Sequence, residues 1–427
     1  MKFKFITSLL VAFFIGISSS PLFFSIPFKE TTFTTYMDKK ISQWLNLNTS
    51  PEFKLLDSIK SSRYSLNLYT KFPEEGTFQL AKLDSQNIFI LERFTGQSYI
   101  WNIYTGKIQI NRNLLADLNL LNQKSKMQVL QVADVHYAFN KLFFSVVSDH
   151  SHPECLDLSA YSADISPKSK SQPVLIFRSP CIEDLLNPAL FGGRFTNSKT
   201  SLFMSVGEQR YDRSGFPKNS KIAKQEIVND KSVFGKILIF NQSISDYRIY
   251  SSGHRNAQGL FYSETNSLLF EAEHGPQGGD EVNVIQEGKN YGWPFVSFGT
   301  AYGWALGSNF PDPSTVKGTN YEEILKSYGQ IRGSHKDFAK PLFSWFPSIG
   351  AGSIYEVANN SDLIDWRKNL LVVSLAKNQV HRLILEQNKV IFDESIEVGG
   401  RIRDMLLMED GIWILAYDEG NLAVYKP

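Results

Sequence analysis

From Ser251 to Gly299 the chain runs SSGHRNAQGLFYSETNSLLFEAEHGPQGGDEVNVIQEGKNYGWPFVSFG, a stretch too rich in polar groups for an ordinary run of strands. Arg255 and Asn256 stand just before an apolar segment, so a guanidinium fork and an amide project from a loop. That pair suits a ligand bearing carboxylate or carbonyl groups, and it equally suits a hydrogen-bond pair that fixes the loop. Downstream, EHGPQGGDE offers main-chain carbonyls at Gly275 and Pro276, then the carboxylates Asp280 and Glu281. Calcium takes about six to eight oxygen ligands of this mixed kind, at roughly 2.3–2.6 Å. Taken alone, the segment also reads as a glycine-rich turn capped by solvated acids.

These groups need a scaffold, and the rest of the chain reads as antiparallel β. Most apolar stretches are short, rich in Phe, Tyr, Val and Ile, and bounded by Asn, Asp, Gly or Ser, and little beyond the N-terminus supports a helix. Six times one phrase returns: a strand, a tight polar turn and a second apolar strand. The six are FQLAKLDSQNIFILER, VADVHYAFNKLFFSVVS, GGRFTNSKTSLFMSVGE, QGLFYSETNSLLFEAEHG, SIYEVANNSDLIDWRKNLLVVSLA and IRDMLLMEDGIWILAYDEG. Hairpins repeated tens of residues apart mark propeller blades, each a four-stranded sheet that buries its faces only against its neighbours. The expected fold is an all-β, six-bladed β-propeller over residues 64–427; a sandwich of the same strands would not repeat the phrase along the whole chain. Ring closure requires a strand from outside the regular count, and YSLNLYT is expected beside the C-terminal NLAVYKP. Blade loops then gather at one face of the ring, where the chemistry is expected.

A chain of 427 residues with 20% charged residues and scattered Gly and Pro is globular in composition, and one large β domain accommodates that length. The formal net charge of +1, from 44 basic and 43 acidic residues, gives no electrostatic basis for binding nucleic acid. At the N-terminus, Lys2 and Lys4 precede an uncharged run from Phe5 to Phe28. Residues 1–28 fit a signal peptide or an N-terminal membrane anchor, and either exports the remainder, to the periplasm or to the membrane surface. Residues 29–63 carry no blade pattern and are expected to form a tether with a short helix around Asp38 to Leu45. Cys155 and Cys181 flank two alternating stretches joined by the polar turn PKSK. A hairpin there sets the cysteines opposite each other, and an oxidising compartment allows a disulfide; two free thiols are the alternative. His150 and His152 stand near Cys155 without a recognised zinc spacing.

GHRNAQGL, EHGPQGGDE and GKNYGWP, in this order, resemble the most recognisable region of the glucose/sorbosone dehydrogenase family. The soluble glucose and aldose sugar dehydrogenases of that family use pyrroloquinoline quinone. Weaker echoes run through most of the chain after Tyr64: ILERFTG, FGGRF, LFMSVGE, GKILIF, WFPSIGAGS, NLLVVSLA and GRIRD. The resemblance implies a six-bladed propeller, agreeing with the hairpin count. It also implies that Arg255 and Asn256 contact quinone and sugar, and that the carbonyls of Gly275 and Pro276 hold a calcium ion bridging to the quinone. Arg401 and Arg403 would clamp the cofactor carboxylates, while Glu281 and Tyr291, with Asp280 nearby, would form a second, structural calcium site. The roles are chemically coherent, because the quinone is a tricarboxylate and calcium acts as a Lewis acid on its reactive carbonyl. Residues two apart on a strand point the same way, which suits Arg401 and Arg403; pairing with acids on a rim is the plainer alternative.

The pattern also departs from the family. Where a segment like HFGGRL begins with the histidine base that takes the sugar proton, this chain reads LFGGRF, so Leu190 stands in that position and no catalytic base is assigned. Such a base typically contributes about 10²–10⁴-fold in rate. His136, His150 and His152 lie in the preceding blade region and are not assigned as substitutes. The family's SLK reads SLAK, placing Ala376 where lysine belongs; Lys377, one residue later, is the remaining candidate cofactor contact, though a strand turns it to the other face. The glutamine of an early segment has Gln128 or Gln131 as its counterpart, and Gly350, Ala351 and Gly352 replace the usual Ala-Pro-Ser. Three functions compete: quinone-dependent aldose oxidation by an altered or inactive site, a non-catalytic exported propeller binding a sugar, calcium or a protein, and another propeller activity such as hydrolysis.

Overall fold

A computed structural model describes residues 57–60, 65–122, 127–151, 154–166, 169, 171–183, 190–208, 231–241, 243–244, 246–276, 278–293, 296–299, 335 and 338–426. The signal or anchor expected over 1–28, most of the expected tether including the segment where a short helix is expected, and His152 lie outside these residues. Strands β1 (Asp57–Lys60) and β2 (Ser65–Lys71) precede the first blade, built from β3 (Phe78–Lys82), β4 (Asn87–Glu92), β5 (Gln97–Asn102) and β6 (Ile108–Asn113). After helix α1 (Leu114–Asn122), the second blade comprises β7 (Met127–Ala138), β8 (Lys141–Ser151), β9 (Glu154–Ala163) and β10 (Val174–Arg178), with β11 (Ile182–Glu183) returning to β9. The third uses β12 (Gly192–Asn197), β13 (Leu202–Val206), β14 (Lys236–Phe240) and β15 (Tyr247–Ser252). The fourth uses β16 (Ala257–Ser263), β17 (Leu268–Glu273), β18 (Asp280–Ile285) and β19 (Phe343–Trp345). The fifth uses β20 (Ala351–Glu356), β21 (Leu370–Ser374), β22 (Gln379–Glu386) and β23 (Lys389–Glu397). In the sixth, β24 (Ile402–Leu407), β25 (Trp413–Tyr417) and β26 (Leu422–Lys426) are completed by β2 and β1.

Each repeated phrase supplies the two inner strands of one blade. The ring closes as the sequence predicts, with β2 antiparallel to β26 and Leu68 opposite Tyr425. Asp57–Lys60, at the end of the expected tether, instead forms the outermost strand of that sheet. The tight turns have a local cause: Phe139 and Asn140, between β7 and β8, both adopt positive φ, and so do Gln387 and Asn388 between β22 and β23. This conformation matches the twist of a two-residue hairpin.

Strand periodicity then explains the ring. Ile88 and Ile90 of β4 pack toward the sixth blade with Leu406, Ile414 and Leu422, whereas Phe89 and Leu91 pack toward the second with Val132, Phe144 and Val146. Alternate residues thus fill opposite seams, and both faces of a blade are buried. Equivalent seams join the second blade to the third, the third to the fourth, the fourth to the fifth and the fifth to the sixth. Cys155 and Cys181 form a disulfide, with β9 and β10 antiparallel as the hairpin reading requires. Helix α1 departs from the all-strand reading. Asn113 Oδ1 accepts from the Ala116 N–H at 2.9 Å, while Leu114, Leu115 and Leu118 are buried in the seam between the first and second blades. Nine residues are too few for a helical period to stand out.

Candidate functional site

The six inner strands, β3, β7, β12, β16, β20 and β24, stand side by side around the axis. At the face where they begin lies a cavity of about 800 Å³. Its wall includes Leu190, Arg255, Asn256, Gly275, Pro276, Asp280, Arg401 and Arg403, so residues far apart in sequence meet as expected. Five guanidinium groups line it, those of Arg93, Arg194, Arg255, Arg401 and Arg403, against one carboxylate among the described lining residues, that of Asp280. Such a wall attracts an anion, and burial strengthens the attraction.

Asp418, on the turn after β25, orders one side. Arg403 grips it through Nε and Nη2, each at 2.6 Å, and Arg401 Nε reaches the same carboxylate at 2.6 Å. Burial raises the Asp418 pKa, but the hydrogen bonds and charges of the two arginines outweigh it and the net shift is downward. Both arginines therefore pair with an acid and line the cavity as well. Arg93, just after β4, donates to Gln131 Oε1 at 2.9 Å while its Nε has no hydrogen-bond partner. Burial, with the nearby charge of Arg403, lowers its pKa to about 10. Of the two glutamine candidates, Gln131 lines the cavity and Gln128 is exposed.

Arg194 forms the floor. Its guanidinium contacts Asp404 at 2.7 Å, Asp134 at 3.1 Å, Gln79 Oε1 at 2.9 Å and Ser353 Oγ at 2.7 Å, so four of the other five inner strands converge on it. A bulge in β12 between Gly192 and Phe195 brings it to the axis. Gly193 there has φ +92°, and a Cβ would meet the Ala133 methyl at 2.9 Å. Burial disfavours the Arg194 charge, yet Asp134 and Asp404 raise its pKa overall. Two carboxylates share one cation, so burial drives Asp134 up to about 7 despite Arg194. Arg194 also lines a second cavity, of about 330 Å³, where the inner strands end. His136 lines that opposite cavity and bonds Asn197, and His150 pairs with Asp157; neither lines the first cavity.

The EHGPQGGDE loop is built around Asp280. Its carboxylate accepts from the N–H groups of Gly275, Ile349, Gly350 and Ala351 at 2.6–3.0 Å and from Ser348 Oγ at 2.8 Å. Those bonds staple the calcium-reading loop to the segment before β20 and occupy both carboxylate oxygens. Glu281 turns away into the flank of the fourth blade, beside Glu271, Glu273 and Asn283. Burial first, then the neighbouring carboxylates, raise the Glu281 and Glu271 pKa values. Ligand atoms of His254, Glu271 and Glu273 lie within 4.8 Å of one another. Tyr291 stacks on His254, with ring centroids 4.9 Å apart, and its hydroxyl donates to Val284 O and accepts from the Gln286 N–H.

Arg255 Nη1 donates to the His274 carbonyl at 2.7 Å and its guanidinium lies over Trp293. Asn256 Oδ1 accepts from Gln258 Nε2 at 2.9 Å and from the Gly192 N–H at 3.3 Å. Leu190, the expected base position, is buried with φ +70° and offers the cavity only an apolar side chain. Lys377 is corrected: it is exposed on the β21–β22 turn, outside the cavity, and Ala376 lines the wall instead. The extra residue places the lysine beyond the strand, so its side chain cannot follow Ala376 inward. Arg93, Arg194, Gln79 and Asp418 carried no local signal for their roles, because their contacts reach across the ring.

A family model described as Glucose / Sorbosone dehydrogenase matches residues 75–311 and 304–426. Aldose sugar dehydrogenase YliI of Escherichia coli is 31% identical over 247 residues, 55% of this chain and 59% of that protein. The chain spans about half the length of the curated relatives it matches. A crystal structure of a glucose dehydrogenase superposes with a TM-score of 0.62 at 22% identity, covering 85% of this chain and 99% of that one. The PQQ-bound form of an aldose sugar dehydrogenase from Streptomyces coelicolor gives a TM-score of 0.57 at 16% identity, covering 86% and 99%. At such identities the structural likeness is one of fold.

Proposed function

Because the chain belongs to the glucose/sorbosone dehydrogenase family, we propose that it binds pyrroloquinoline quinone and oxidises an aldose in the cavity where the inner strands begin. The observation that carries this reading is the set of five arginines that line one cavity, with Arg401 and Arg403 sharing the single carboxylate of Asp418 and Arg194 held by Asp134 and Asp404. A tricarboxylate quinone matches that charge and that room. Arg401 and Arg403, preset by Asp418, would hold carboxylates at one end, and Arg255 with Asn256 would face the reacting end. When bound, the quinone supplies a two-electron acceptor, and calcium at the Gly275 and Pro276 carbonyls supplies Lewis-acid assistance. Asp280 orders that loop rather than serving as a ligand, since both its oxygens are engaged. A second calcium ion, expected at Glu281 and Tyr291, would offset the repulsion among the buried carboxylates of Glu271, Glu273 and Glu281.

Leu190 favours the competing reading, a propeller that binds a sugar, calcium or protein without turnover. Reconstitution with calcium and quinone, followed by dye reduction with a panel of aldoses, separates the two. Aldose-dependent reduction supports the dehydrogenase, and quinone binding without reduction by any aldose supports the binding module. The Cys155–Cys181 disulfide supports an exported location, in keeping with the apolar N-terminal run.

A further inference from the structure

The smaller cavity, at the end of the ring where the inner strands finish, takes its wall from all six of them. Its volume of about 330 Å³ falls within the range of small-molecule sites, about 300–1,000 Å³. The ionic groups around it are already matched within the wall. Lys82 Nζ pairs with Glu409 at 2.8 Å, Arg194 pairs with Asp134 and Asp404, and Glu356 accepts from Ser263 Oγ and Asn266 Nδ2. A charged ligand would have to disturb one of these arrangements to gain a partner.

Neutral groups, by contrast, have capacity to spare. Asn197 Nδ2 donates to Ser198 O at 2.9 Å, which turns its Oδ1 toward His136 Nε2 at 2.7 Å. An amide oxygen only accepts, so Nε2 carries the ring proton and Nδ1 keeps a lone pair. Burial, with the charge of Arg194 behind it, pushes the His136 pKa down to about 4 despite Asn197, and the ring is neutral at pH 7. Tyr355, from β20, is partly exposed in the cavity, and its hydroxyl makes no hydrogen bond to a described residue. Burial and the Asp404 charge raise its pKa, so the hydroxyl keeps its proton and both donates and accepts. Phe261 packs against Tyr355 with ring centroids 5.4 Å apart, and Tyr262 extends the aromatic wall. Neither His136 nor Tyr355 lines the arginine-rich cavity.

We propose that this second cavity is a binding site for an uncharged, ring-shaped polyol, a neutral sugar. One ligand hydroxyl donates to His136 Nδ1, another bonds Tyr355, and the C–H face of the ring lies against Phe261 and Tyr355. Hydroxyls donate and accept alike, so they satisfy a bare ring nitrogen and a phenol together, while the aromatic rings cover the apolar face of the sugar. The site stands whether or not the other cavity holds quinone.

The test titrates the calcium-loaded full chain with the methyl glycosides of glucose, galactose, mannose and xylose, whose blocked anomeric hydroxyl prevents oxidation, and follows binding by ligand-observed NMR. At least one should bind. Tyr355→Phe keeps the ring and removes the hydroxyl, and it should weaken that sugar about 3–10-fold, as should His136→Ala. Arg255→Ala, in the opposite cavity, should leave the affinity within about twofold. In the wild type with nitrogen-labelled histidine, the same sugar should shift the ring resonances of His136, a reading that needs no variant to fold. Binding of none of the four sugars overturns the proposal, and so do His136 resonances unmoved at saturating sugar. Weakening by Arg255→Ala as large as that by Tyr355→Phe also overturns it. Glucuronate binding that Tyr355→Phe weakens would contradict the uncharged class.

Discussion

Arg255 donates from Nη1 to the carbonyl of His274 at 2.7 Å. Its own N–H donates to Glu273 Oε2 at 2.6 Å, so the GHRN and EHGP segments form one wall. Replacing Arg255 with Ala should remove a charge-assisted bond and leave a buried carbonyl unpaired, lowering stability by about 1–3 kcal/mol. Urea unfolding measures this, and Arg255→Lys should recover only part, because a lysine lacks the fork.

The floor of the cavity makes stability depend on pH. Asp134 is raised to about 7 in the folded protein from an ordinary 3.8, so the folded state holds a proton that the unfolded chain has lost. Its contribution is fully present below about pH 4 and disappears as pH rises through 7, at up to about 1.4 kcal/mol per pH unit within that window. Unfolding measured from pH 4 to 8 should show that decline, and Asp134→Asn should flatten it.

A cation beside Glu281 should stabilise the fourth blade. At a hundredfold excess over its dissociation constant, calcium should add about 2.7 kcal/mol. The rise in Tm should vanish in Glu281→Gln. An unchanged Tm for the wild type in added calcium would remove this site from the account.

The blades were legible because their causes are local. Ile88 to Leu91 alternate between two seams, and Phe139-Asn140 sits between strands whose types are plain from composition. The cavity was legible only in part. Arg255, Gly275 and Arg403 lie in recognisable motifs, but Arg194 reaches Asp404 across 210 residues and Gln79 across 115, distances over which no spacing rule operates. Asp280 read as a ligand because a carboxylate in a glycine-rich loop looks available; the N–H groups that engage it come from residues 349–351, about 70 positions away. His274 lies inside the EHGPQGGDE motif, yet an unpartnered Nε2 is a property of packing.

The central claim, that the arginine-lined cavity is a quinone site, is tested most directly by equilibrium titration of the calcium-loaded protein with pyrroloquinoline quinone, followed by tryptophan fluorescence. The account predicts saturable binding at one quinone per chain, weakened at least about tenfold by Arg403→Ala through loss of a charge-assisted contact. Absence of saturable binding, or binding unchanged in Arg403→Ala and Arg255→Ala alike, would contradict it.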